Sequence, residues 1–153
     1  MRLDETQLVR WGKHIGQTVE VPVFIGLSGE LGAGKSVLAR AIGGGAGVIA
    51  RMPSPSYTLV QRYPADAGRT LVHLDLYRIK SPDDLWELGW SQLADGDEIV
   101  LVEWPARAGS LLPKDRWLIE LVSPIGLPEM RDVEVSRIGS PPDLAQFSMV
   151  LSD

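Results

Sequence analysis

The stretch GELGAGKS, residues 29–36, constrains this chain more than any other segment. It matches the pattern G-x-x-x-x-G-K-[ST], which forms a phosphate-binding loop when a strand precedes it and a helix follows. Glycines permit backbone angles that other residues avoid, so successive N–H groups can surround phosphate oxygens. The apolar run VFIGLSG predicts a buried strand before the loop, and KSVLARAI predicts a helix that ends at the glycine run from Gly43. The sequence therefore predicts nucleotide binding.

A phosphate-binding site of this kind needs two side chains from the loop and a carboxylate from another strand. In such loops the lysine, here Lys35, reaches the β- and γ-phosphates, and the hydroxyl of Ser36 ligates Mg²⁺. A carboxylate at the end of a neighbouring strand normally completes the metal site. Glu103 follows the apolar run IVLV and is the candidate, although aspartate is usual there; the alternative is an ordinary solvated carboxylate at a strand end.

HLDLYR offers a second carboxylate, Asp75, as the alternative metal-associated group. His73, Asp75 and Tyr77 alternate on one strand face, so a purely structural polar face is the competing interpretation. The only other histidine is His14. No histidine pair stands at metal-ligand spacing, so we predict no transition-metal site.

Composition bounds the remaining possibilities. A length of 153 residues predicts one domain, residues 1–153. There are no cysteines, the N-terminus lacks the apolar core of a signal peptide, and no apolar run reaches the roughly 20 residues of a membrane span. We therefore expect a cytoplasmic protein without membrane partners. The net charge of −5 argues against strong direct nucleic-acid binding.

Local patterns predict the remaining elements. Asp4 with Gln7 forms a capping-box pattern at the start of a helix. PSYTLVQRY and TLVHLDLY are β-rich segments, and PADAGR between them predicts a hairpin or a long turn. SPDDLWELG predicts a helical turn between Ser81 and Gly89. EIVLVEW, DRWLIELV and RDVEVSRI read as strands. The five tryptophans are expected in the core, with Trp104 the exception beside the nucleotide. The predicted fold is an α/β, P-loop NTPase-type three-layer domain, whose mixed, mainly parallel central sheet has C-terminal antiparallel strands.

Several classes of P-loop protein are open at this point. The chain contains no asparagine, so the N-K-x-D motif of guanine-specific GTPases is absent. A small-molecule kinase is an alternative, but RAGSLLPKDR is too short and proline-interrupted for an arginine-bearing lid. A nucleotide-sensing module that does not hydrolyse is a further alternative.

Taken together, GELGAGKS, SPSYTLVQRY, HLDLYR, LWELGW and IVLVEWPARAGSLLP resemble, in this order, the bacterial TsaE (YjeE) family. The resemblance runs from about Asp4 to Leu121. It implies a P-loop ATPase of the tRNA threonylcarbamoyladenosine pathway, with ATP and Mg²⁺ as cofactors. It further implies that the TsaB–TsaD heterodimer is the partner, that this heterodimer contacts the tRNA, and that ATP hydrolysis supports its turnover.

The resemblance also implies roles for individual residues. Lys35, Asp75 and Glu103 are the expected catalytic residues, with Asp75 positioning or activating water; Ser36 and Glu103 are the expected metal ligands. Candidate switch or partner contacts are Ser56, Arg78 and Trp104. The expected nucleotide-binding residues are Glu30, Leu31, Gly32, Ala33, Gly34, Lys35, Ser36 and Val37.

The sequence departs from the family pattern at several positions. Ser56 replaces a threonine and keeps its hydroxyl. The loop ends in Ser36, where threonine is commoner, and Leu8 stands where many members have threonine, so no base contact is predicted there. The glycine-rich residues 43–47 are expected to be a mobile connection.

Overall fold

The computed structural model describes residues 1–55 and 58–150. Within these ranges the α-helices are α1 (Glu5–Thr18), α2 (Lys35–Gly45) and α3 (Phe147–Val150). The strands of the same part of the chain are β1 (Arg2–Asp4), β2 (Val23–Ser28), β3 (Val60–Pro64), β4 (Thr70–Asp75), β5 (Glu98–Glu103), β6 (Arg116–Val122) and β7 (Met130–Ile138).

The strands of the described residues form a seven-stranded mixed sheet in the order β1-β7-β6-β2-β5-β4-β3. The central strands β6, β2, β5 and β4 are mutually parallel, and β3, β7 and β1 pair antiparallel at the margins. The predicted α/β fold is confirmed, as are the β3–β4 hairpin and the antiparallel C-terminal strands. β1 was not predicted, because three residues are too short a segment to show alternation.

Different elements cover the two faces of the sheet. Ile25 and Leu27 of β2 pack into a core shared with α1 and α2. Phe24 faces the other way and meets Trp90, with ring centroids 5.8 Å apart. That face is covered by 3-10 helices, which include Pro82–Leu88 and Pro105–Leu111. The result is the predicted three layers.

The helical boundaries follow from the predicted capping residues. The Asp4 side chain accepts from the Gln7 N–H, and the Gln7 side chain accepts from the Asp4 N–H, at 2.8 and 2.9 Å. Ser81 begins the 3-10 helix Pro82–Leu88, and Gly89 ends it with φ of 75°. Both predictions are confirmed. No helix among the described residues is long and apolar enough to cross a membrane.

The glycine run at the end of α2 is helical, so the predicted end of this helix before Gly43 is wrong. A Cβ built on Gly45 would lie 2.0 Å from the carbonyl oxygen of Lys13. One built on Gly16 would lie 2.0 Å from the carbonyl oxygen of Ile42. Side chains are therefore excluded where α1 and α2 cross, and this packing overrides glycine's low helix propensity of about 1 kcal/mol relative to alanine.

One tryptophan departs from the expected core placement. Trp11 and Trp90 are buried, and their ring N–H groups donate to backbone carbonyls. Trp86 is 52% exposed, because it lies on the outer side of the 3-10 helix whose Leu85 faces the core. This helix thus packs against the core through Leu85 rather than through the larger Trp86 ring.

We expect Gly16→Ala to lower the free energy of unfolding by about 1–3 kcal/mol, since its methyl group must separate α1 from α2. Gly44→Ala is the matched control, because its Cβ would have no heavy atom within 4 Å. The control should raise stability by up to about 1 kcal/mol through helix propensity. Urea unfolding measures both, and similar changes in the two variants would contradict the helix crossing.

Candidate nucleotide-binding site

The carboxyl ends of three parallel strands meet at one edge of the sheet and position the candidate site. Glu103, the last residue of β5, pairs with Leu27 of β2 and with Asp75 of β4. The GELGAGKS loop leaves β2 at the same edge. Ligands of parallel α/β sheets bind at this edge, where the strands end and the loops begin.

The loop closes on the N-terminus of α2. Gly34 is the N-cap residue and has φ of 105°, a left-handed conformation that glycine adopts without strain. Because glycine has no side chain to accept from the first turn, the N–H groups there are available to an external anion. The helix dipole adds partial positive charge at the same point.

Lys35 is buried and held by three contacts. Its Nζ donates to the carbonyl oxygens of Gly29 and Glu30, at 2.6 and 2.8 Å. The same atom lies 4.4 Å from the ring centroid of Trp104. Burial lowers the pKa of Lys35 below the ordinary 10.5, and nearby carboxylates, Glu103 foremost, oppose this shift less strongly.

Ser36 and Glu103 bring oxygen atoms together beside the loop. Ser36 Oγ lies 3.1 Å from Glu103 Oε1 and 3.2 Å from Oε2. The second oxygen is also 2.6 Å from Nε2 of His73. Glu103 is 3% exposed, although it carries a carboxylate. A buried carboxylate next to a hydroxyl is the oxygen donor set that Mg²⁺ prefers.

Trp104 has a backbone conformation that is uncommon for a bulky residue. Its φ is 60° and ψ 51°, which places it in the left-handed region. Its N–H donates to the Leu27 carbonyl at 3.2 Å. This turn directs the indole toward Lys35. The Tyr77 ring packs against the indole, with the two ring centroids 5.0 Å apart.

Lys35, Ser36, Glu103 and Trp104 help to line a cavity of about 230 Å³. Most of the predicted site residues are among its lining residues; Glu30, Ala33 and Arg78 are not. Arg78 is exposed in the turn after β4, and Ser56 lies outside the described residues. Ser54 lines the cavity and was not predicted. The lining residues are Leu31, Gly32, Gly34, Lys35, Ser36, Val37, Ser54, Asp75, Glu103 and Trp104.

Sequence reasoning also missed Arg131, at the start of β7. Its Nε donates to the carbonyl of Ala33 at 2.8 Å and its Nη2 to that of Gly32 at 3.2 Å. These bonds hold loop carbonyls outward, so that the adjoining N–H groups can face the cavity. No local pattern reveals this role, because Arg131 lies about a hundred residues further along the chain. Only the folded sheet brings it next to the loop.

Comparison with known proteins shows which family this chain resembles. The family described as "Threonylcarbamoyl adenosine biosynthesis protein TsaE" matches residues 3–126. This chain belongs to the TsaE family. The matched range confirms the predicted resemblance and leaves all of β7 outside it.

Individual relatives span most of this chain. It is 34% identical over 123 residues to the Haemophilus influenzae tRNA threonylcarbamoyladenosine biosynthesis protein TsaE, covering 77% of each chain. It is 31% identical over 131 residues to the Streptomyces coelicolor protein of the same name, covering 84% of this chain and 88% of that protein. The crystal structure of Bacillus subtilis YdiB superposes with a TM-score of 0.74 at 23% identity, covering 99% and 90% of the two chains. This structure supports the fold.

We expect Arg131→Met to speed amide hydrogen exchange in residues 30–34 by about tenfold, because the loop loses hydrogen bonds from a charged donor. Arg137→Met is the matched control on the same strand, since Arg137 donates to Pro141 rather than to the loop. The control should leave exchange in the loop unchanged. Mass spectrometry of peptic peptides measures both variants, and unchanged exchange in Arg131→Met would contradict the bracing role.

Proposed function

We propose that this chain is a Mg²⁺-dependent ATPase subunit of the tRNA threonylcarbamoyladenosine machinery, folded as one domain and active in the cytoplasm. The observation that carries the proposal is the convergence of Lys35, Ser36, Asp75 and Glu103 on one cavity behind a phosphate-binding loop. Membership of the TsaE family supplies the pathway. ATP binding and hydrolysis then support turnover by the TsaB–TsaD heterodimer.

On this proposal residues 30–37, which include the first turn of α2, surround the β- and γ-phosphates with backbone N–H groups. Lys35 exchanges its carbonyl partners and the Trp104 ring for phosphate oxygens. Because its Nζ already lies at the cavity wall, this exchange requires little rearrangement of the loop. Fixed donors at the phosphates stabilise charge without reorganising during the reaction.

Ser36 and Glu103 are the residues that would hold Mg²⁺, and their convergent oxygens suit a small, hard cation. Bound there, the cation would neutralise charge that develops on the phosphate oxygens. Asp75 would orient or activate the attacking water. Its Oδ1 accepts from the Tyr77 N–H at 2.9 Å, which fixes the carboxylate at the cavity wall.

The charge of the chain supports an indirect relation to tRNA. With 20 acidic and 15 basic residues, it is poorly suited to neutralise an RNA backbone. In the proposed complex TsaB–TsaD therefore makes the RNA contacts. Arg78, Trp104 and Ser56 are the proposed switch or partner contacts; Trp104 lines the cavity, and Arg78 is exposed in the turn after β4.

We expect Lys35→Met to weaken ATP binding by roughly tenfold to a hundredfold, because charged hydrogen bonds to phosphate are lost. Phosphate release should fall by at least about a hundredfold. Lys13→Met removes the same charge from an exposed position of α1 and serves as the control. Equilibrium binding of a fluorescent ATP analogue and a phosphate-release assay measure both effects. Wild-type behaviour of Lys35→Met would contradict the proposed site.

We also expect slow phosphate release by the isolated chain and a rise of about tenfold or more with TsaB–TsaD, because the heterodimer completes charge stabilisation. The same heterodimer with Lys35→Met is the control for contaminating activity. Equal rates with and without TsaB–TsaD would contradict the partner mechanism. A phosphorylated metabolite would instead identify a kinase, and tight binding without phosphate release a nucleotide sensor.

A further inference from the structure

A fully buried histidine contacts the candidate metal carboxylate from within the sheet. His73 Nε2 lies 2.6 Å from Glu103 Oε2, and the two side chains are 0% and 3% exposed. His73 pairs with Leu101 on the neighbouring parallel strand, two residues before Glu103. The imidazole is therefore held beneath the carboxylate by the register of β4 and β5.

The chemistry of the pair assigns the direction of the hydrogen bond. An ionised carboxylate only accepts, so Nε2 of His73 carries the proton and donates to Glu103. Nδ1 is then an acceptor, and among the described residues it has no hydrogen-bond partner. Burying such an atom unpaired costs about 1–3 kcal/mol. A leucine at this position would avoid that cost, so stability alone does not explain the histidine.

The contact restricts how the carboxylate can turn. Glu103 has two oxygens within 3.1 and 3.2 Å of Ser36 Oγ, and either could face the cavity. Donation from His73 occupies Oε2 and leaves Oε1 as the oxygen that would be available to a cation. Hydrogen-bonded carboxylate ligands bind metals more tightly, and loss of their outer partner typically costs about 10–100-fold in metal affinity.

We propose that His73 is a positioning residue that orients Glu103 for Mg²⁺. The inference rests on the proposed function, since it assigns His73 a role at that metal site. His73 touches neither nucleotide nor cation on this proposal, and it acts through Glu103 alone.

Three substitutions test the proposal. His73→Leu removes the donor at similar volume, whereas His73→Gln keeps an N–H at about the same reach from the backbone. His73→Asn carries the same amide on a shorter side chain that cannot reach Glu103. Val72→Ala is the control for a core lesion in β4, because Val72 packs on the opposite face of the sheet.

The readout is the affinity for a fluorescent ADP analogue, titrated with Mg²⁺ and compared with EDTA, together with the melting temperature. In His73→Leu and His73→Asn we expect the half-maximal Mg²⁺ concentration to rise about tenfold or more, with affinity in EDTA unchanged. His73→Gln should stay within about threefold of the wild type, and Val72→Ala should lower only the melting temperature. If His73→Leu does not fold, the proposal is decided by the difference in half-maximal Mg²⁺ concentration between His73→Gln and His73→Asn.

Three results would overturn the proposal, and they are distinguishable. His73→Leu and His73→Asn could lose nucleotide affinity equally with Mg²⁺ and with EDTA, or they could keep the wild-type Mg²⁺ requirement. Either result would leave His73 a structural residue while the proposed function stands. A wild-type protein whose nucleotide affinity does not respond to Mg²⁺ would overturn the metal site itself, and with it both proposals.

Discussion

The parallel pairing of β2 with β5 is the constraint on which the candidate site depends. Its register sets Leu27 opposite Glu103, so the strand that leads into the phosphate-binding loop ends beside the strand that carries the carboxylate. Pairing of β5 with β4 adds Asp75 at the same level. The buried apolar residues of these strands fix that register. A shift by one residue would turn Glu103 to the opposite face of the sheet.

The position of α2 is fixed at both of its ends. Its N-terminus follows the loop, and its glycine-rich C-terminal turns lie against α1 without intervening side chains. Arg69 then donates to the carbonyls of Gly16, Val19 and Ala46, at 3.1, 3.2 and 3.4 Å. The last carbonyl groups of a helix have no partner within the helix. One guanidinium thus satisfies such carbonyls at the ends of both helices. The helix that would receive phosphate is therefore anchored far from the cavity.

Features with a local cause could be predicted from the sequence. The capping box at Asp4, the strand–loop–helix around Lys35 and the strand-end position of Glu103 all follow from short patterns. Features that depend on contacts between distant segments could not. The helical glycines at the end of α2 require knowledge of α1, and the contacts of Arg131 and His73 require the sheet order. A single sequence carries no short-range signal for either contact.

The electrostatics of the cavity explain why the proposed reaction depends on groups from outside this chain. Among the lining residues of the described ranges, Lys35 is the one cation, and it faces the carboxylates of Asp75 and Glu103. A nucleoside triphosphate would add further negative charge to a site that already has an excess of carboxylates. A divalent cation offsets part of it, and the first-turn N–H groups of α2 offset a smaller part. On our proposal the remaining charge of the transition state is stabilised by a partner, since Arg78 does not line the cavity. On this proposal binding and catalysis are separate: the loop would hold the phosphates, whereas rapid hydrolysis would require the assembled complex.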